Sequence, residues 1–225
     1  MALRITTIAK QWIAGILKHS KAICAFANPT VNCYRNFFKL FYPLHIYWGI
    51  EDREACVRIK NKTPCTTYIE NRLPSGKSNT YLVMASTIAA GLDGVNKKME
   101  CPAKGKSKDT DSLPCSLAEA LAELEQDVDL CHALGDELVT WFVKSKKDAE
   151  IAKYDGIEIN DTAKSSSITI YSVGIEVHVK ADLVIASDEG NMVHLEDFSD
   201  FENIVPELEV KFCAVVNKYE SSHIH

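Results

Sequence analysis

Residues 53–74, "REACVRIKNKTPCTTYIENRLP", decide the fold. Ala55, Val57 and Ile59 alternate with Cys56 and Arg58, the period-two pattern of a strand with one dry face. A second strand is predicted over 66–73, where Thr67, Ile69 and Asn71 oppose Tyr68, Glu70 and Arg72. Pro74, Ser75 and Gly76 form a turn, and a long helix follows over 79–98. Its recurring apolar positions are Leu82, Ala85, Ile88, Ala89 and Leu92, and Gly91 and Gly94 permit close packing or fraying near its end.

Working outward, the N-terminal side reads as an amphipathic helix over 6–27, with Ile8, Trp12, Ile13, Ile16, Leu17 and Ile23 on its apolar stripe. Thr6 or Thr7 caps it, and Asn28-Pro29 ends it. Residues 30–46 are aromatic, weakly charged and aperiodic, which predicts a long loop lying on the protein. On the C-terminal side, 101–115 has the Gly, Pro, Ser and Lys content of a solvated linker. Ser116 and Glu119 make a capping box that opens a helix to about residue 124. A short helix over 127–134 closes at Gly135, and a third runs over 136–154 with Leu138, Trp141, Phe142 and Ile151 available for burial.

Composition changes at Asp155-Gly156. Residues 1–154 carry 21 basic against 17 acidic side chains, whereas 155–225 carry 4 against 14. Domain bounds of 1–154 and 155–225 follow, the second an acidic extension with β-branched runs for one or two strands. It reads either as a small β appendage on the first part or as a poorly ordered tail. The first part's positive balance suits a small anion but is too dispersed for a nucleic-acid surface. No apolar run reaches spanning length and "MALRITTIAKQW" lacks a signal-peptide pattern, so a cytoplasmic address and no membrane partner are expected. The eight cysteines show no paired spacing, and small buried hydrophobes are the expected role.

Several segments, in order and near the right spacing, resemble the C-terminal half of the glutamine synthetase catalytic domain. They are "GILKHSKAICAFANPTVNCYRN" (15–36), "YWGIEDREACVRI" (47–59), "YIENRLP" (68–74), "SNTYLVMASTIAAGLDGVNKKM" (78–99) and the helices of 113–142. The resemblance covers roughly residues 8–152. It implies an α+β fold in which antiparallel strands are backed by long helices. The sheet is incomplete because its partner strands lie upstream, and its bare edge favours self-association. It implies ATP-dependent ligation of ammonia, or a related amine, to the side-chain carboxylate of glutamate through a glutamyl phosphate. ATP and Mg²⁺ or Mn²⁺ are the implied cofactors, and a homo-oligomer the implied assembly.

By resemblance, Arg53 and Arg58 match arginines that grip nucleotide phosphates, Arg72 one that holds the transferred phosphate or reacting carboxylate, and Glu70 a metal ligand. The chemistry fits, because a guanidinium stays protonated and offers phosphate a planar fork, while hard divalent ions take oxygen ligands. The plainer reading of Glu70 and Arg72, two residues apart on a strand, is a solvated salt bridge. Asn36 stands where the family often has an arginine for the glutamate carboxylate, leaving Arg35 as a one-residue substitute. Tyr42 lies in the loop where many members carry a glutamate, and it cannot act as a carboxylate base at neutral pH. Of the histidines, His19 reads as a surface or packing residue and His45 as a residue of the aromatic loop. Most metal-ligating carboxylates of the family lie upstream of this sequence, as does the smaller N-terminal β domain, so the chain alone is expected not to turn over. Whether it is an enzyme or a lengsin-like pseudoenzyme, a scaffold kept for structure or interaction, stays open.

Overall fold

The computed structural model describes residues 5–34, 42–61, 67–154, 171–178 and 211–218. Arg35 and Asn36, the aromatic residues Phe37, Phe38 and Phe41, and the acidic stretch 196–210 lie outside them. Helix α1 (Thr7–Ala27) is the centre of the fold: from Ile13 to Ala27 nearly every side chain is buried, Lys18 and Lys21 excepted. Thr6 caps it by accepting from Ala9 N at 3.2 Å, and the Asn28 backbone closes it onto the Cys24 carbonyl. Within the expected loop, Val31–Tyr34 forms a single helical turn, α2, whose Val31 N–H donates to Glu150 Oε1.

Strands β1 (Trp48–Ile50), β2 (Val57–Asn61), β3 (Thr67–Asn71), β4 (Tyr171–His178) and β5 (Lys211–Lys218) form one sheet in that order. The β2–β3 pair is antiparallel, as expected; β3–β4 and β4–β5 are antiparallel too, so strands from beyond residue 155 extend a sheet expected to have a bare edge, and β1 and β2 are parallel. Consecutive strands usually need a long crossover to run parallel. Here β1 is three residues long, so the six residues 51–56 suffice to return, starting from Glu51 in the left-handed region at φ 54°.

Helix α3 (Thr80–Asn96), capped by Asn79, packs on α1 through a different face from the one its hydrophobicity suggests. Val83, Ser86, Thr87, Ala90, Gly91 and Gly94 are buried, whereas Ala85 is exposed and Leu82, Ile88, Ala89 and Leu92 are only half-buried. The reason is proximity. A Cβ placed on Gly94 would lie 2.1 Å from the Gln11 carbonyl oxygen, and one on Gly15 2.1 Å from that of Ala90, so the two backbones touch where neither carries a side chain. Small residues define this seam, and the larger apolar ones flank it.

Residues 101–115 are mostly exposed, as a linker should be, yet their backbone is stitched to the segment before β1. Ile46 N–H donates to the Asp111 carbonyl, Leu113 N–H to that of Leu44, and Gly105 N–H to that of Trp48. Helices α4 (Leu117–Gln126), α5 (Val128–Leu134) and α6 (Asp136–Lys146) follow, with the Ser116 cap, the Asp127 cap and the Gly135 break where the sequence puts them. The end of the third predicted helix is a π-helical turn (Lys147–Ile151) before α7 (Ala152–Tyr154). Val139 and Val143 face the core, and Phe142 meets Phe26 at 4.6 Å between ring centres. Leu138 and Trp141, expected inside, are 45% and 65% exposed because they lie on the opposite side of α6. Of the described cysteines, Cys24, Cys33 and Cys56 are buried as expected, Cys101 and Cys131 half-buried, and Cys115 exposed. Among the described residues no helix is long and apolar enough to cross a membrane.

Candidate anion-binding site

The β2–β3 register sets Arg58 directly opposite Glu70. Directly paired positions on antiparallel strands bring side chains together on one face, and here Arg58 Nε donates to Glu70 Oε2 at 2.5 Å. Arg72 leaves the chain two residues after Glu70, and its Nε lies 4.0 Å from Glu70 Oε1. Its Nη1 donates to the Ala55 carbonyl at 3.3 Å. The three side chains are only 12–16% exposed, so one carboxylate sits between two guanidinium groups at the rim of the core.

Burial, and then the neighbouring Arg58 cation, push the Arg72 pKa below its ordinary value, with Glu70 and Asp52 opposing them. Arginine remains protonated at any ordinary pH, so the guanidinium keeps its charge despite its burial. Asp52 and Tyr47 adjoin the cluster through the loop 51–56, and burial and the Asp52 carboxylate both raise the Tyr47 hydroxyl pKa. Both lie in the segment 47–59 that carries the resemblance, but the resemblance assigns neither a role, and their position depends on the parallel return of β1.

Arg53 is on the same loop and exposed to solvent. The structure thus brings together Arg58, Glu70 and Arg72, sets Arg53 on the adjoining loop, and leaves Arg35 outside the described residues. Behind the site, Asn71 Nδ2 donates to Thr87 Oγ1 of α3 at 3.0 Å, and its Oδ1 accepts from Leu73 N. Asn28 Nδ2 donates to the Leu73 carbonyl at 3.1 Å. The Tyr42 hydroxyl is shared between Asn28 Oδ1 (2.9 Å) and the same Leu73 carbonyl (3.0 Å), and burial holds its pKa well above the phenolic value. Tyr42 is therefore a tether for its loop and not a base.

A divalent ion needs several oxygen ligands. Among the described residues no group of three or more His, Cys, Asp or Glu side chains could hold a metal ion, and one Glu70 oxygen is already bonded to Arg58. These residues by themselves do not fit the ion cluster that the resemblance implies. They fit an anion.

A family model described as glutamine synthetase, catalytic domain, matches residues 2–163. Mouse lengsin is 38% identical over 155 residues, covering 64% of this chain and 27% of lengsin. The glutamine synthetase of Thermotoga maritima is 36% identical over 149 residues, covering 60% of this chain and 34% of the enzyme. The chain thus spans about a third or less of the length of these curated relatives. Two solved structures are similar, one titled apo GmaS without ligand (TM-score 0.61, 30% identity, 72% of this chain and 38% of that one) and one titled as a GmaS/ADP complex (TM-score 0.62, 29% identity, 73% and 40%).

Proposed function

Because the chain belongs to the glutamine synthetase catalytic-domain family, we propose that it carries the phosphate-gripping part of a ligase that joins ammonia or a related amine to the side-chain carboxylate of glutamate. In that reaction a glutamate oxygen attacks the terminal phosphorus of ATP and ADP leaves. The amine nitrogen then attacks the activated carbonyl carbon, and phosphate leaves with the bonding pair. Each step gathers negative oxygens, and the protein's main contribution is to hold and neutralise them. Arg58 and Arg72, prepositioned on β2 and after β3, are assigned the phosphoryl oxygens. Arg53, on the exposed loop, is assigned the nucleotide's other phosphates. Glu70 aligns Arg58 and keeps the two guanidinium groups together until an anion arrives. A metal-dependent step is not part of the role assigned to these residues.

The observation that carries this reading is the pair of partly buried guanidinium groups brought together on one face around the Glu70 carboxylate. Titration calorimetry of the chain with ATP, with and without Mg²⁺, tests it. Heat that saturates and disappears in Arg58→Ala supports an anion grip, and no heat at millimolar nucleotide refutes it. The second reading is a lengsin-like scaffold, favoured by the bond that Glu70 already makes to Arg58. On that reading the chain binds no nucleotide and serves structure or interaction. Cytoplasmic location and a homo-oligomeric state belong to the proposal as well, and sedimentation at graded concentration checks the assembly.

A further inference from the structure

A second concentration of charge lies away from the arginine cluster, where three helical segments meet. It comprises Lys18 and His19 on α1, Asp93 and Lys97 on α3, and Asp127 and Asp129 at the start of α5. His19 has no solvent exposure. Its Nδ1 is 2.6 Å from Asp127 Oδ2 and its Nε2 is 2.9 Å from Asp93 Oδ2. Lys18 bonds Asp129 at 2.7 Å and Asp93 at 3.2 Å, and Lys97 bonds the same two carboxylates at 2.8 and 2.7 Å. Three cations thus face three anions.

The imidazole decides how this cluster behaves. An ionised carboxylate only accepts hydrogen bonds, and a neutral imidazole has one N–H to give. Two carboxylates on one ring therefore require both nitrogens to be protonated. Either neutral tautomer would turn a nitrogen lone pair towards a carboxylate oxygen less than 3 Å away. Asp93 would keep Lys18 and Lys97 in that event, but the described bonds give Asp127 Oδ2 no donor except His19. Asp127 also caps α5, its Oδ1 accepting from Leu130 N at 3.1 Å. One carboxylate thus joins the charge on α1 to the start of α5.

We propose that His19 is a buried, doubly protonated clasp that holds the α4–α6 layer on the α1–α3 pair, and that loss of its one extra proton loosens α5 first. Burial alone would lower the His19 pKa, but the hydrogen bonds to Asp127 and Asp93 raise it above the ordinary 6.5. A folded-state pKa above the unfolded one means stabilisation that is complete below about 6.5 and lost as pH rises through the folded value. The Asp93 carboxylate, whose pKa its cationic partners hold low against the effect of burial, sets the acid limit in the opposite sense. The clasp therefore holds above that acid limit and opens as pH rises through the folded-state value of His19, which lies above 6.5.

Nitrogen-15 NMR of the histidine-labelled chain at pH 7 tests the charge state directly, and both His19 nitrogens are expected to be protonated. Thermal melts at rising pH above 6.5 should show a midpoint falling by about 2–4 °C, the effect of roughly one lost hydrogen bond in a chain of this size, with amide protection lost earliest in 128–134. His19→Gln should lack that step. A single protonated nitrogen at pH 7 would overturn the proposal, as would equal alkaline slopes in the parent and the variant. Should His19→Gln fail to fold, the NMR measurement on the parent chain decides alone.

Discussion

Replacing Glu70 with Gln separates the two roles this residue plays. The carboxamide keeps the shape and one acceptor, but it removes the negative charge that lies 2.5 Å from Arg58 Nε and 4.0 Å from Arg72 Nε. A hydrogen bond to a charged partner contributes about 1.5–3 kcal/mol, and these side chains are 12–16% exposed, so little solvent screening reduces it. Glu70→Gln is therefore expected to destabilise the free chain by about 2 kcal/mol, or about 4–8 °C in melting temperature for a chain of this size. The same change removes one negative charge from beside the two guanidinium groups, so polyphosphate should bind more tightly. A ligand at one hundred times its dissociation constant returns about 2.7 kcal/mol of stability, enough to offset the loss. Differential scanning fluorimetry with pyrophosphate or ATP should show a larger upward shift for Glu70→Gln than for the parent. A variant that melts with the parent and gains no extra shift would refute the anion cluster as described.

Arg53→Ala should leave stability within about 0.5 kcal/mol, since it is an exposed loop residue. By calorimetry it should weaken nucleotide binding, and unchanged affinity would remove Arg53 from the site. Gly94→Ala brings a Cβ within 2.1 Å of the Gln11 carbonyl, so the helices must part by roughly 1 Å. A destabilisation of about 1–3 kcal/mol in urea is expected, and a change near zero would contradict the α1–α3 contact. Ser116→Ala removes the acceptor for Glu119 N and should cost about 1 kcal/mol by the same measurement.

Helix starts and the two central strands were legible because their signals are local. Thr6, Asn79, Ser116 and Asp127 each bond an amide two or three residues on, and alternation over five residues marks β2 and β3. Arg58, Glu70 and Arg72 were also legible, through spacing and family resemblance together. What depends on distant partners was not. His19 reads as a surface or packing residue beside Lys18, whereas its two carboxylates lie 74 and 108 residues away and make it the buried hub of an ion network whose outer members reach solvent. The apolar stripe of α3 misses its buried face because hydrophobicity records side-chain size, and this seam is defined by the lack of it; Gly91 and Gly94 are the residues that mark the close packing in the sequence. Trp141 and Leu138 were assigned inward for the same kind of reason. The parallel pairing of β1 follows from a short return loop and leaves no periodic trace.

The ties behind β3 bear on selectivity. Asn71 is fixed to Thr87 on α3, and Leu73 to Asn28 at the end of α1, and those two helices meet backbone to backbone. The segment from which Arg72 projects is thus mounted on a frame with few soft side chains to absorb a displacement. If the proposed anion grip holds, a guanidinium on such a mounting should act as a caliper of set opening, favouring an oxyanion of matching span over a wider or narrower one.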